Sequence, residues 1–206
     1  MKYGLKTQSS DLGDYLHCTK IVDYDNENVA NLSNRFWSKS ESVVDFVRAV
    51  YKYVRDEIRH SADWNGHFVT CRASDVLKYG EGICFAKSHL FAALMRCNGV
   101  PTGFCYQVLR LDDDDSPLIL HGFNAVYLEG YDRWIRLDAR GNKPGIAAQF
   151  SLDNEQLAYS ARADQGERDV PTIFTEPDLN VIDSLMQAKS FEELWNKLPK
   201  TLAMEK

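Results

Sequence analysis

The sequence predicts an α+β fold in which helices come first, an antiparallel meander of three strands follows, and a C-terminal wrap closes the chain. Three observations lead to this class. Apolar residues repeat at helical spacing before residue 98, three strand-like segments lie between residues 103 and 138, and periodicity is weak after residue 151. The 206 residues contain no internal repeat and no long linker, so we expect a single domain over residues 1–206.

Two helices are predicted in the first 60 residues from apolar stripes and capping residues. The first runs from Asn26 to Trp37, with Asp25 as its cap. The second follows Ser38, which forms a capping-box pattern with Glu41, and it should end near His60. The segment from 61 to 71 is expected to be a loop.

The next helix has the clearest pattern in the chain. One buried stripe is formed by Ile83, Ala86, Leu90, Ala93, Leu94 and Cys97. Asn98-Gly99 predicts a left-handed cap, and Pro101 prevents the helix from continuing.

Three strands and two short closing helices are expected after residue 102. The predicted strands span Gly103–Leu111, Leu118–Leu128 and Arg133–Asp138. Asp112 to Asp115 separate the first two strands, and a solvated loop is favoured over a calcium site because consecutive aspartates lack the alternating spacing of a calcium loop. The last helix should start at Ser190, with Glu193 as its capping partner.

Composition and charge exclude several classes of function. The chain has 24 Lys and Arg against 30 Asp and Glu, a net charge of −6 without a basic cluster, so a nucleic-acid partner is not expected. No apolar run approaches the roughly 18–20 residues that span a bilayer, and no secretory leader is visible, so we expect a cytoplasmic protein without a membrane partner.

The cysteines argue against an extracellular scaffold and a zinc cluster. Their number is odd, and no short Cys-x-x-Cys pair occurs among Cys18, Cys71, Cys84, Cys97 and Cys105. We expect reduced thiols, no metal and no cofactor.

Cys84 differs from the other cysteines because it opens the best helix, directly after Gly80-Glu81-Gly82-Ile83. The unsatisfied N–H groups and the dipole of a helix start favour a thiolate there and can stabilise an oxyanion. The alternative interpretation is a small buried apolar residue.

A base for this thiol is predicted from the second hairpin. A two-residue loop at Glu129-Gly130 would place Leu128 opposite Tyr131 and His121 opposite Asp138, with Cβ atoms about 4.5–5.5 Å apart. A carboxylate in that position can orient the imidazole, as a catalytic triad requires. The alternatives are a structural hydrogen bond at a strand end, or a metal bound by these two residues and the cysteine.

Three segments resemble the transglutaminase-like superfamily. YGEGICFAKSH at 79–89, with Leu94 to Pro101 behind it, is similar to the nucleophile helix of the family. LHGFNA at 120–125 and WIRLDA at 134–139 are similar to its histidine and aspartate strands. The resemblance covers a core of about residues 43–142 and is closest to small, stand-alone bacterial transglutaminase-like proteins.

The resemblance implies a papain-like core, with the nucleophile helix packed on an antiparallel sheet. It assigns Cys84 as nucleophile, His121 as general base and then acid, and Asp138 as the orienting group. The family often places an aromatic residue upstream to hold the oxyanion, and Trp64 is the nearest candidate.

Other polar residues fall near the predicted site and are candidates for substrate binding: Lys87, His89, Gln107, Asn124, Arg140 and Asn142. Arg140 has two interpretations, as a clamp for a substrate carboxylate or as a brace for its own loop.

These residues predict acyl transfer through a cysteine thioester on a peptide, protein or small amide substrate. Cleavage of an amide or peptide bond is the favoured reaction. Transfer of the acyl group to an amine, as in a transglutaminase or amide synthase, is the alternative. A non-catalytic binding module on the same fold is the second alternative.

Overall fold

A computed structural model describes residues 4–111 and 116–203 of the chain. The α-helices are α1 (Glu27–Trp37), α2 (Val43–Asp56), α3 (Ala73–Tyr79), α4 (Cys84–Cys97), α5 (Leu179–Gln187) and α6 (Phe191–Asn196). The strands are β1 (Lys6–Thr7), β2 (Arg59–His60), β3 (Glu81–Gly82), β4 (Thr102–Arg110), β5 (Leu118–Leu128), β6 (Arg133–Leu137), β7 (Arg168–Asp169) and β8 (Thr172–Ile173). The predicted loop at Asp112–Asp115 lies outside the described residues. Among the helices of the described part, none has the length and apolar character needed to cross a membrane.

The main sheet has four strands in the order β6-β5-β4-β7, and β4, β5 and β6 form the predicted antiparallel meander. Helix α4 packs against β4 and β5, while α1, α2 and α3 contact α4 from its other sides. The α+β class is therefore confirmed. Strand β7 was not predicted, because two residues are too few to show a periodic pattern.

Helix α4 begins at Cys84 and ends at Cys97 as predicted, and Gly99 adopts the left-handed conformation at φ 74°. It is buried on all sides rather than along one stripe, because helices surround the face that does not contact the sheet. Even its polar residues Lys87, His89 and Arg96 are buried.

Two capping predictions were wrong. Asn26 rather than Asp25 caps α1, with its side chain accepting a hydrogen bond from the Asn28 N–H. Ser42 rather than Ser38 caps α2, because Ser42 lies directly before the apolar stripe and accepts from the Asp45 N–H.

Helix α2 ends at Asp56, earlier than the predicted end near His60. The two residues Arg59 and His60 form β2, which pairs in parallel with β3. The Arg59 N–H donates to the Gly80 carbonyl at 2.9 Å. It therefore bonds to a residue 21 positions further along the chain rather than to a carbonyl of α2. This pairing has no periodic sequence signal.

The predicted hairpin register was wrong by two residues. Leu128 lies opposite Arg133 rather than Tyr131, because the connection is a four-residue turn over 129–132. Asp132 adopts a left-handed φ of 47° in this turn, and its N–H donates to the Glu129 carbonyl at 3.1 Å. A shift of two preserves the faces of both strands.

The C-terminal region is fastened to the core by buried polar contacts. The Arg96 guanidinium donates to the carbonyls of Thr102 and Thr175, which ties the end of α4 to β4 and to the wrap. The Leu120 N–H of β5 donates to the Pro199 carbonyl at 2.8 Å. Helix α6 starts after Ser190 as predicted.

The approach of α4 to the sheet is very close at Gly122 in β5. A Cβ atom on this glycine would lie 2.5 Å from Cδ1 of Phe85, the residue after Cys84. The absence of a side chain at Gly122 therefore sets the distance between the helix start and the strand that carries His121.

We predict that Gly122→Ala lowers the free energy of unfolding by about 1–3 kcal/mol, because the methyl group overpacks the helix–sheet contact. Urea unfolding followed by circular dichroism measures this change. Gly130→Ala is the matched control and should change stability by less than about 0.5 kcal/mol, since, apart from its chain neighbours, no described residue has an atom within 4 Å of its Cβ position. Equal stability losses in the two variants would contradict the prediction.

Candidate active site

Cys84 lies in the first turn of α4, at the base of a cleft. The turn has no side-chain cap, since Ile83 occupies the cap position, so its backbone N–H groups face outward without a competing acceptor from that residue. Gly82 allows the approach of this turn, because a Cβ there would lie 2.9 Å from the Ala86 Cβ and from the Thr70 Oγ1. The Cys84 side chain is half-buried.

His121 and Asp138 form a buried hydrogen bond beside this thiol. The His121 Nε2 lies 2.8 Å from the Asp138 Oδ2, although the shifted register removes the predicted direct pairing of the two residues. Strand β6 ends at Leu137, and Asp138 reaches His121 diagonally from just beyond the ladder. Because the Asp138 carboxylate engages Nε2, Nδ1 is the nitrogen of the His121 ring that can interact with the Cys84 thiol.

Two backbone N–H groups hold the Asp138 carboxylate in place. Arg140 donates to Oδ1 at 3.1 Å, and Ala158 donates to Oδ2 at 3.0 Å. The Tyr51 hydroxyl also donates to the Asp138 carbonyl at 3.0 Å. The position of Asp138 therefore depends on α2 and on the C-terminal wrap, as well as on β6.

The charges of the site favour a protonated His121 beside an ionised Asp138. Burial lowers the pKa of His121, but Asp138 and Cys84 raise it to about 10 through charge and hydrogen bonding. Burial raises the pKa of Asp138, yet His121 and the two backbone donors hold it below its usual value. Because the folded pKa of His121 exceeds its ordinary 6.5, its protonation stabilises the fold below about pH 6.5, and this contribution is lost as the pH rises through about 10.

The cleft above the thiol has a volume of about 90 Å³. It is lined by His60, Ile83, Cys84, Phe85, Leu109, Arg110, Leu111, Ile119, Leu120, His121, Arg140, Tyr159, Trp195 and Leu198. The lining thus combines polar and aromatic side chains with several aliphatic ones.

Arg140 lines the cleft and also braces the loops around it. Its guanidinium donates to both oxygens of Asp63, at 2.6 and 3.0 Å, and Lys143 adds a contact to Asp63 at 2.8 Å. Burial raises the pKa of Asp63, but these two cations lower it to about 2. Asn142 braces its own loop by two hydrogen bonds to the backbone of Ala148.

Trp64, His89 and Lys87 do not line the cleft. Trp64 is 65% exposed, and its ring lies under the Arg59 guanidinium instead. His89 is buried, with Nδ1 2.7 Å from the Cys71 carbonyl. The buried Lys87 ammonium donates to the Ile58 carbonyl at 2.5 Å, and burial together with the Arg140 charge lowers its pKa to about 7.

Gln107 and Asn124 also lie outside the cleft lining. Gln107 is the cross-strand partner of His121, and its amide donates to Asp169 at 2.9 Å. Asn124 donates to the Gly103 carbonyl at 3.2 Å, within the sheet. Of the six polar candidates, Arg140 alone lines the cleft.

Sequence reasoning missed His60 and Tyr159 as cleft residues. His60 lines the cleft because β2 places it opposite Gly82. Its buried Nδ1 has no hydrogen-bond partner within residues 4–111 and 116–203. Tyr159 packs edge-on against the His121 ring at 5.0 Å. Neither residue belongs to a periodic element, so no local pattern could have identified it.

A family model described as the transglutaminase-like superfamily matches residues 30–139. This chain belongs to the transglutaminase-like superfamily. The match includes Cys84, His121 and Asp138, and it spans the helices and the meander that carry them.

The fold of this superfamily member is also found in a solved structure. That protein, a "Putative Cysteine Protease from Cytophaga hutchinsonii", matches with a TM-score of 0.51 and 22% sequence identity. The match covers 64% of the present chain and 43% of the other chain, so the present chain corresponds to less than half of that protein. No curated protein sequence matches this chain. Within the described residues, no group of three or more His, Cys, Asp or Glu is arranged to hold a metal ion.

We predict that Asp138→Asn lowers the pKa of His121 from about 10 towards or below its ordinary 6.5, because burial remains when the carboxylate charge is removed. An NMR titration of the imidazole carbon-bound protons measures the shift. His89, whose pKa burial lowers to about 4, is an internal control and should titrate unchanged. An unaltered His121 titration in the variant would disprove the coupling.

Proposed function

We propose that this protein is a thiol enzyme that cleaves an amide or peptide bond through a Cys84 thioester, with His121 and Asp138 completing a triad. The observation that carries the proposal is the buried His121–Asp138 hydrogen bond of 2.8 Å beside a thiol at an uncapped helix start. Membership of the superfamily supports a thiol enzyme of this general kind.

The first half of the reaction acylates the thiol. The Cys84 thiolate attacks the substrate carbonyl, forming a C–S bond, and the backbone N–H groups of the first turn of α4 stabilise the oxyanion. The C–N bond then breaks as protonated His121 gives its proton to the leaving nitrogen. Asp138 keeps the imidazole oriented throughout and stabilises its charged form.

The second half of the reaction releases the acyl group. Neutral His121 removes a proton from water, the resulting hydroxide attacks the thioester, and the C–S bond breaks to give a carboxylic acid and the thiolate. The imidazole keeps the proton, which restores the starting ion pair. A reducing cytoplasm is the compartment we propose, since it keeps the thiol available.

Hydrolysis is preferred over transfer to an amine. Water is abundant in the cell, and the described residues of the cleft lining include no carboxylate to bind the cationic amine acceptor of a transglutaminase. The protease designation of the Cytophaga hutchinsonii protein also supports cleavage. The substrate we propose is a peptide, protein or small amide; nucleic acid and membranes are not partners in this proposal.

We predict that iodoacetamide alkylates Cys84 at pH 6 at least about tenfold faster than Cys18, because the protonated His121 lies beside the Cys84 sulfur, whereas burial raises the pKa of the Cys18 thiol. Site-mapped mass spectrometry measures both rates. Accessibility works against this result, since Cys18 is exposed and Cys84 is half-buried. His121→Gln should abolish the advantage of Cys84. Equal rates at the two thiols would leave a non-catalytic binding module as the better proposal.

We predict that p-nitrophenyl hexanoate forms an acyl-enzyme on Cys84 whose decay is not accelerated by a primary amine. Mass spectrometry of the intact protein follows the adduct with and without n-butylamine at about 10 mM, roughly tenfold above the upper range of ordinary KM values. Cys84→Ala is the control and should form no adduct. Faster decay with the amine would favour an acyltransferase.

A further inference from the structure

Part of the apolar lining of the cleft is supplied by a segment far along the chain. Trp195 of α6 and Leu198, two residues after the end of α6, line the cleft together with Leu109 and Leu111, near the end of β4. Leu198 is 8% exposed, so its side chain is part of the packed structure. We call these four side chains the acyl pocket.

The C-terminal side of the acyl pocket is fixed in place. The Pro199 carbonyl accepts from the Leu120 N–H at 2.8 Å, one residue before His121 in β5. The Thr201 carbonyl accepts from the Asn180 side chain at 2.9 Å, and the Ala203 N–H donates to Asp178 at 2.8 Å. Three hydrogen bonds thus hold this segment against the core.

The permanent charges among the described residues of the cleft lining are two guanidinium groups. Among the described residues, the lining includes Arg110 and Arg140 but no Asp or Glu side chain. Arg110 is held by the carbonyls of Gln165 and Ser116, and Arg140 is held by Asp63. A cationic substrate side chain would lose water among these apolar side chains and would lie near two guanidinium groups, while an apolar side chain loses little.

We propose that the acyl pocket binds a bulky, uncharged apolar side chain on the acyl side of the scissile bond and rejects cationic side chains. This inference rests on the proposed function. It names the substrate class as amides or peptides with leucine-like residues before the cleaved bond. It makes Trp195 and Leu198 residues that determine specificity.

The test compares dipeptidyl chloromethyl ketones with Leu-Leu, Ala-Ala or Lys-Lys side chains. In each, the Cys84 thiolate attacks the methylene carbon, a C–S bond forms, and chloride leaves with the electrons of the broken C–Cl bond. We expect the Leu-Leu compound to inactivate at least about tenfold faster than Ala-Ala, and Lys-Lys to be slowest. Equal rates for Leu-Leu and Lys-Lys would overturn the proposal.

Two variants locate the preference. Leu198→Ala and Trp195→Ala should reduce the advantage of the Leu-Leu compound over the Ala-Ala compound to about threefold or less. Leu202→Ala is the matched control, because it removes another buried leucine of the same segment that does not line the cleft. If both cleft variants keep the full Leu-Leu preference, or react faster with all three compounds, the segment is not a specificity wall.

A binding measurement separates this proposal from the catalytic one. In Cys84→Ala, N-acetyl-Leu-Leu-amide should shift the Trp195 indole N–H resonance in an NMR titration, and the Lys-Lys analogue should not. Binding of the leucine peptide to Cys84→Ala would support the acyl pocket even if the thiol of the wild type proved unreactive. Absence of a shift with the leucine peptide would overturn the pocket whatever the thiol does.

Discussion

The geometry of the candidate site depends on the contact between Phe85 and Gly122. Helix α4 carries the thiol and β5 carries the histidine, so the distance between these two elements sets the distance between the two groups. A glycine at the contact lets the helix start approach the strand more closely than any side chain would allow. The helices around α4 then press it against the sheet from the other side.

Burying an ion pair is costly unless its remaining hydrogen-bond positions are satisfied. Asp138 meets this requirement through backbone N–H groups from Arg140 and Ala158, which need no additional charge. Two nearby cations have other partners. Lys87 donates to backbone carbonyls near the end of α2, and Arg140 binds Asp63, so neither competes with His121 for the carboxylate.

Sequence prediction succeeded where the signal is local. The bounds of α4, its glycine exit and the faces of the meander strands follow from apolar spacing and from special residues at the ends. The hairpin register was wrong because a left-handed Asp132 lengthens the turn, and Glu-Gly does not reveal that conformation. His60 and Tyr159 were missed because tertiary pairing, not periodicity, brings them to the cleft.

The anchoring of Pro199 beside His121 has a consequence for the order of synthesis. The N-terminal part of a chain leaves the ribosome first. The α4–β5–β6 core lies about 60 residues before Leu198 and is therefore synthesised earlier. A nascent chain that stops short of residue 198 has the thiol, the imidazole and the carboxylate in its sequence but lacks one wall of the acyl pocket. In this proposal, the residues of the triad are therefore synthesised before the segment that would give the site its selectivity.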